Sequence, residues 1–242
     1  MYFLFSGEGP TDTGVCNGNV DQCHGDQFSY GPMTVVVDHI VERRWNYSMI
    51  ESLAFGCVSK SRLVAKASEL KQDKRRVSLP GAKRPKETTY FYQNARTLAL
   101  CAREFAQSRG CEVIAVLFRD SDGTASAGRG LWRDKWNSMM SGFEDEGFNR
   151  GVPMIPRPKS EAWLICALKE HPYNGCDALE ERSGNDNSPN SLKVELSDLC
   201  HGWPGRESMC QMVLERRVDV DQITMPSFTA FRLRLEQVLQ AS

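Results

Sequence analysis

Residues 113–128 read VIAVLFRDSDGTASAG, an apolar run that ends in Asp120, Ser121, Asp122 and a glycine. Two carboxylates this close repel each other unless a cation or a proton sits between them. Two enzyme classes use such a pair, and a hard divalent cation held by oxygen ligands is one way to offset the repulsion. Glu8 sits in YFLFSGEGPTDTG, just past another short apolar run. Glu161, in KSEAWLICALKEH, shares a helix face with Leu164, Ile165 and Leu168, where a solvated glutamate has no reason to point. Its alternative role is to complement the helix N-terminus, worth about 0.3–1 kcal/mol; membership of a site is the preferred reading.

For these carboxylates to meet, their carrier elements must be neighbours. In an open parallel sheet, ligands collect outside the carboxyl ends of the strands, so adjacent strands ending at Glu8 and Asp120 would build one crevice. Residues 2–5 have the composition of a buried strand followed by a loop, and residues 113–118 that of a strand covered on both faces. MTVVVDHIVERRW is read as a helix and residues 52–58 as a short strand. YQNARTLALCAREFAQSRG places Ala95, Leu98, Ala99, Ala102 and Ala106 at helical spacing, with Gly110 as its stop. Residues 130–146 are again helical, VPMIP is a brief strand, Ser160 is a candidate N-cap, and SFTAFRLRLEQVL carries the stripe Phe228, Phe231, Leu235 and Val238. The helix-then-strand order predicts an α/β fold, with long loops at 10–31 and 59–89 and a polar, broken stretch over 175–205.

A net charge of −1 gives no global attraction to polyanions, so any nucleic-acid contact requires a local patch. The opening residues lack a basic n-region and no apolar run approaches ~18 residues, which predicts a cytoplasmic protein with no membrane partner. Nine cysteines, an odd number without a C-x-x-C pair, predict reduced structural thiols. Metal binding by Cys16, Cys23 and His24, or by Cys200 and His201, matches no zinc spacing. SGEGPTDTG lacks the Lys-Ser/Thr ending of a P-loop, so ATP binding by this chain is not expected.

A Glu-Gly just after a first strand, followed much later by an apolar strand ending in Asp-x-Asp, resembles the TOPRIM domain shared by topoisomerases, primases and the overcoming-lysogenization-defect nucleases. PKSEAWLICAL and MPSFTAFRLRLEQVL look like a small TOPRIM-like family of bacterial proteins found beside ATPase genes and in anti-phage loci. The resemblance implies a central, mostly parallel sheet flanked by helices over residues 1–170, and a helical C-terminal portion over 171–242 packed on the same domain. It further implies a Mg²⁺-dependent endonuclease, with Mn²⁺ as a substitute, acting in anti-phage defence beside an ATPase partner. Glu8 would be a metal ligand or general acid/base, Asp120 and Asp122 would hold the metal, and Glu161 would complete the set. Two cations about 4 Å apart, held by carboxylates, suit phosphodiester hydrolysis on chemical grounds as well. The 111 residues between Glu8 and Asp120 exceed what a compact core of this kind needs, so either the two long loops are insertions or Glu8 is not the motif glutamate.

KQDKRRVSLPGAKRPK carries seven Lys or Arg against one Asp. Lys74, Arg75, Arg76, Lys83, Arg84 and Lys86 are read as phosphate contacts, DNA ahead of RNA, rather than as a merely solvated loop. Trp132 and Trp136 either stack on bases or, as their i, i+4 spacing favours, belong to the core. Two further readings compete. DSDGT also resembles the first motif of haloacid-dehalogenase-like phosphatases, with Asp120 as nucleophile, Asp122 as acid and Thr124 completing the match. That chemistry needs a downstream lysine and an acidic pair after another buried strand. A non-catalytic nucleic-acid or partner-binding subunit is the third.

Overall fold

The structure, a computed structural model, describes residues 1–72, 86–121 and 131–241 of the 242-residue chain. Its strands are β1 (Tyr2–Ser6), β2 (Gly14–Cys16), β3 (Gln22–His24), β4 (Phe28–Tyr30), β5 (Phe55–Val58), β6 (Val113–Phe118) and β7 (Gly151–Met154). Its α-helices are α1 (Pro32–Trp45), α2 (Lys60–Gln72), α3 (Lys86–Arg109), α4 (Leu131–Asp145), α5 (Ser160–Leu168), α6 (Leu192–Leu199), α7 (Arg206–Leu214) and α8 (Pro226–Gln240). The main sheet runs β3-β5-β1-β6-β7, parallel except for β3 at its edge, and β2 pairs with β4 in a separate antiparallel ribbon.

All six residues of β6 are buried because helices cover both faces of the sheet. Alternation along the strands divides the core. Phe3, Phe5, Ile114, Val116 and Phe118 join residues of α1, α5, α7 and α8 in one layer, whereas Leu4, Val113, Ala115 and Leu117 meet α3 and α4 in the other. The C-terminal helices are part of this core. Trp163 of α5 stacks on Phe231 and meets Phe228 edge-on, and its indole N–H donates to Ser227 Oγ at 2.9 Å. The mostly parallel α/β architecture expected from the sequence is therefore present, and no helix among the described residues is long and apolar enough to cross a membrane.

Three local expectations are corrected. The stretch 10–31 is not a loop throughout, since it carries β2, β3 and β4; such short strands lack readable alternation and form through distant partners, β3 pairing with β5. Residues 60–72 are the helix α2 rather than a loop, residues 192–199 form α6 inside the stretch 175–205 expected to be broken, and α7 (206–214) is a helix that sequence periodicity does not reveal. The cysteines are not all reduced: Cys16 pairs with Cys23 and Cys166 with Cys176. Both bridges close short segments whose proximity depends on the fold. Cys57 stays a thiol, pushed up to about 12 by burial, which removes it as a nucleophile at neutral pH.

The turn after β1 is anchored by the start of α1. A helix leaves its first N–H groups without intrahelical partners, and here Asp12 and Thr13 answer part of that need. Asp12 O accepts from Met33 N at 3.0 Å, and Thr13 O accepts from Gly31 N at 2.8 Å and from Thr34 Oγ1 at 2.7 Å. Gly31 permits the approach, because a Cβ there would lie 2.2 Å from Asp12 O and 2.6 Å from Asp12 C. Gly31→Ala therefore forces backbone apart and is expected to cost about 1–3 kcal/mol. At about 2–4 °C per kcal/mol for a chain of this length, the lowered melting temperature is measurable by calorimetry.

Candidate functional site

β1 and β6 are paired in parallel, with Phe5 opposite Val116 and Ser6 opposite Leu117. From β1 the chain passes through α1 to β5 on one side, while β6 lies on the other. The strand order thus reverses at β1, and the crevice beyond the carboxyl ends of β1 and β6 is where open α/β sheets take ligands. Glu8 lies two residues past Ser6 and Asp120 two residues past Phe118, both at this end.

Between them stands Arg119, whose side chain is 0% exposed. Its Nη1 donates to Ser6 O at 3.1 Å and to Phe118 O at 2.6 Å, and its Nη2 to Asn94 Oδ1 of α3 at 2.7 Å. Its Nε lies 3.9 Å from Glu8 Oε1, and its guanidinium sits 5.8 Å from the centre of the Tyr90 ring. The Tyr90 hydroxyl donates to the same Glu8 oxygen at 3.4 Å. Burial pulls the Arg119 pKa down, while Tyr90 and Glu8 oppose that shift. Glu8 keeps 32% of its side chain exposed, so this carboxylate reaches solvent above a buried cation.

The remaining carboxylates gather around the start of α5. Ser160 Oγ donates to Asp12 Oδ1 at 2.5 Å, and Ser160 N donates to Asp120 Oδ1 at 3.3 Å. One residue therefore binds the turn after β1 and the turn after β6. Ser160 is the first residue of α5 rather than its N-cap, which is Lys159; its hydroxyl is spent on Asp12. Burial raises the Asp12 pKa against hydrogen bonds from Ser160 and Thr11. Burial likewise raises Glu161, and the nearby Asp12 charge adds to the effect. Ser121 is held by Pro156 O at 3.2 Å and Pro158 O at 3.1 Å through its N–H, while its own carbonyl accepts from the buried Lys135 Nζ at 3.0 Å.

No family model, curated protein or solved structure matches the chain.

Of the carboxylates singled out in the sequence, Glu8, Asp120 and Glu161 thus lie at one end of the sheet, linked through Arg119, Ser160 and Asp12. Asp122 falls outside the described residues, as do Lys74, Arg75, Arg76, Lys83 and Arg84; Lys86 is the first residue of α3. Trp132 and Trp136 stack on each other and pack, partly buried, against the core, with Trp132 Nε1 bonded to Ile155 O at 2.8 Å. Among the described residues no group of three or more His, Cys, Asp or Glu is arranged to hold a metal ion. The described carboxylates alone therefore do not fit one.

Sequence reading passed over Asp12, Arg119, Tyr90, Asn94, Lys135 and Ser160's double role. Arg119 carried a usable signal, because a charge abutting a strand buried on both faces must find partners. Asp12 did too, lying in the same glycine-rich turn as Glu8.

The raised Glu161 pKa gives a signed prediction for the metal-free protein. Folded Glu161 binds its proton more tightly than the unfolded chain does, so its contribution is fully favourable below the ordinary value of 4.5 and is lost as pH rises through the folded value. Above that range the ionised group is a net cost. Glu161→Gln should raise the melting temperature at pH 7–8, by about 2–4 °C per kcal/mol relieved, with the gain shrinking toward pH 4–5. Thermal melts across that pH range, in a chelator, check it.

Proposed function

We propose that the chain is a metal-dependent, TOPRIM-like nuclease that hydrolyses nucleic-acid phosphodiesters. The observation that carries this reading is the parallel β1/β6 pairing, which brings the turn holding Glu8 and Asp12 beside the turn holding Asp120 at the reversal of strand order. Hydrolysis needs a water that loses a proton as it attacks and a departing oxygen that gains one. Glu8, at the solvent edge beside Tyr90, is the group assigned to that proton. The cation of the proposal, Mg²⁺ or Mn²⁺, rests on donor chemistry and requires Asp122 beside Asp120 and Glu161, since the described residues do not make a metal-binding set by themselves.

Nucleic acid, DNA ahead of RNA, is the proposed substrate, with the basic residues before α3 as phosphate contacts. An ATPase partner and a defence role against phage rest on the family resemblance alone. Action in the cytoplasm belongs to the same proposal; the two disulfides weigh against that compartment, where thiols are kept reduced.

The phosphatase reading keeps one observation in its favour. Lys135 is a downstream lysine whose Nζ reaches Ser121 O, next to Asp120. Against it, the described residues contain no strand after β7, and that chemistry calls for an acidic pair on a further buried strand.

The test presents wild type, Glu8→Gln, Asp120→Asn and Asp122→Asn with plasmid DNA, RNA and a small phosphomonoester in Mg²⁺ or Mn²⁺. Wild type is expected to cleave nucleic acid, and each substitution to lower the rate by about 10²–10⁴-fold while the melting temperature stays near that of wild type. Unchanged cleavage by Glu8→Gln would remove Glu8 from the site. Phosphomonoester hydrolysis that survives Glu8→Gln would favour the phosphatase reading.

A further inference from the structure

We infer that Arg119 is a positioning residue for Glu8, a buried cation that holds this carboxylate over the crevice without touching substrate; the inference rests on the nuclease reading. Arg119 is entirely buried and cannot reach a bound polymer. Its guanidinium is fixed on three sides, by the carbonyls of Ser6 and Phe118 at the ends of the two paired strands and by Asn94 Oδ1 from α3. Asn94 is itself tied down, its amide donating to Tyr90 O at 2.6 Å. The fourth side is the informative one. Nε has no hydrogen-bond partner and faces Glu8 Oε1 at 3.9 Å.

Packing does not explain such a residue, because buried ion pairs are often replaced by apolar side chains without loss of stability. A role as a clamp between the strand ends accounts for Nη1 and leaves Nε unexplained. A donor aimed at a carboxylate slightly beyond hydrogen-bond length is the arrangement expected of site contacts that tighten when substrate binds. Tyr90 reaches the same Glu8 oxygen and also interacts with the Arg119 guanidinium, so phenol, guanidinium and carboxylate form one cluster.

Cleavage kinetics for Glu8→Gln, Arg119→Met, Arg119→Lys and the double variant Arg119→Met/Glu8→Gln test the inference. Arg119→Met is expected to lower kcat by about 100-fold, the scale of a misplaced catalytic group, with KM unchanged within about threefold. Arg119→Lys should recover part of the rate, since it restores the charge without the fork. In the double variant, loss of Arg119 should add nothing to the loss of Glu8, because residues that act as one unit are not additive. Additive losses, or near-normal kcat in Arg119→Met, would overturn it. If Arg119→Met does not fold, Asn94→Ala serves instead, with a smaller loss that is again non-additive with Glu8→Gln. Crystal structures of wild type and the folded variant give a readout independent of catalysis. Glu8 should leave the Tyr90 hydroxyl in the variant, and an unmoved Glu8 sinks the inference. A wild type that cleaves no nucleic acid would end the nuclease reading, whereas the position of Glu8 would still decide the role of Arg119.

Discussion

The parallel pairing of β1 with β6, closed in by helices on both faces, is the constraint from which the rest of the molecule follows. A strand buried on both sides can carry only apolar residues along its length, and β6 does so from Val113 to Phe118. Polar chemistry is thereby pushed to the strand ends. At the carboxyl end of this pair the strand order reverses, so the turns that leave β1 and β6 diverge and open a crevice between them. The carboxylates that suggest a function lie in those two turns and at the start of the helix that follows β7.

Gathering carboxylates at the edge of a dry core is costly, and the structure offsets the cost in three ways. Arg119 sets a buried positive charge beneath Glu8 and spends its other donors on backbone oxygens and Asn94. Lys135 does similar work for the Ser121 carbonyl, its ammonium 5.4 Å from the centre of the Phe91 ring. Ser160 gives its hydroxyl to Asp12 and its N–H to Asp120, at a helix start where the dipole favours negative charge. What is left over shows in the raised pKa values of Asp12 and Glu161.

The outer elements serve to hold this edge still. α1 is started by the carbonyls of Asp12 and Thr13, so the turn that carries Glu8 is also the cap of a buried helix. α5 is buried from Ala162 to Ala167 and locked by Trp163 against Phe228 and Phe231 of α8. Through Ser160 that rigidity reaches Asp12 and Asp120. α3 contributes from the opposite layer, sending Tyr90 and Asn94 to Glu8 and Arg119. Contacts from both helical layers therefore converge on the open end of the sheet.

The sequence by itself determined the long periodic elements and the chemistry of their ends. The six apolar residues of β6, the alanine-rich face of α3 closed by Gly110, and the aromatic stripe of α8 are local patterns whose burial follows from composition and period. Residue type alone also marked Glu8, Asp120 and Glu161 as carboxylates in places where a solvated charge is unexpected. The tertiary structure decided what those patterns do not encode. A short strand such as β3 exists only through its partner β5, far away in the chain. The disulfides Cys16–Cys23 and Cys166–Cys176 likewise form where the folded chain brings the two thiols of each pair together. Arg119 reads as one more charge in the sequence, and only the meeting of β1, β6 and α3 shows it fully buried against Glu8. Ser160 reads as a cap, and only the return of the turn after β1 gives its hydroxyl to Asp12. Local pattern sets which residues must be buried or exposed, while the partner of a buried charge is a long-range property that folding alone supplies.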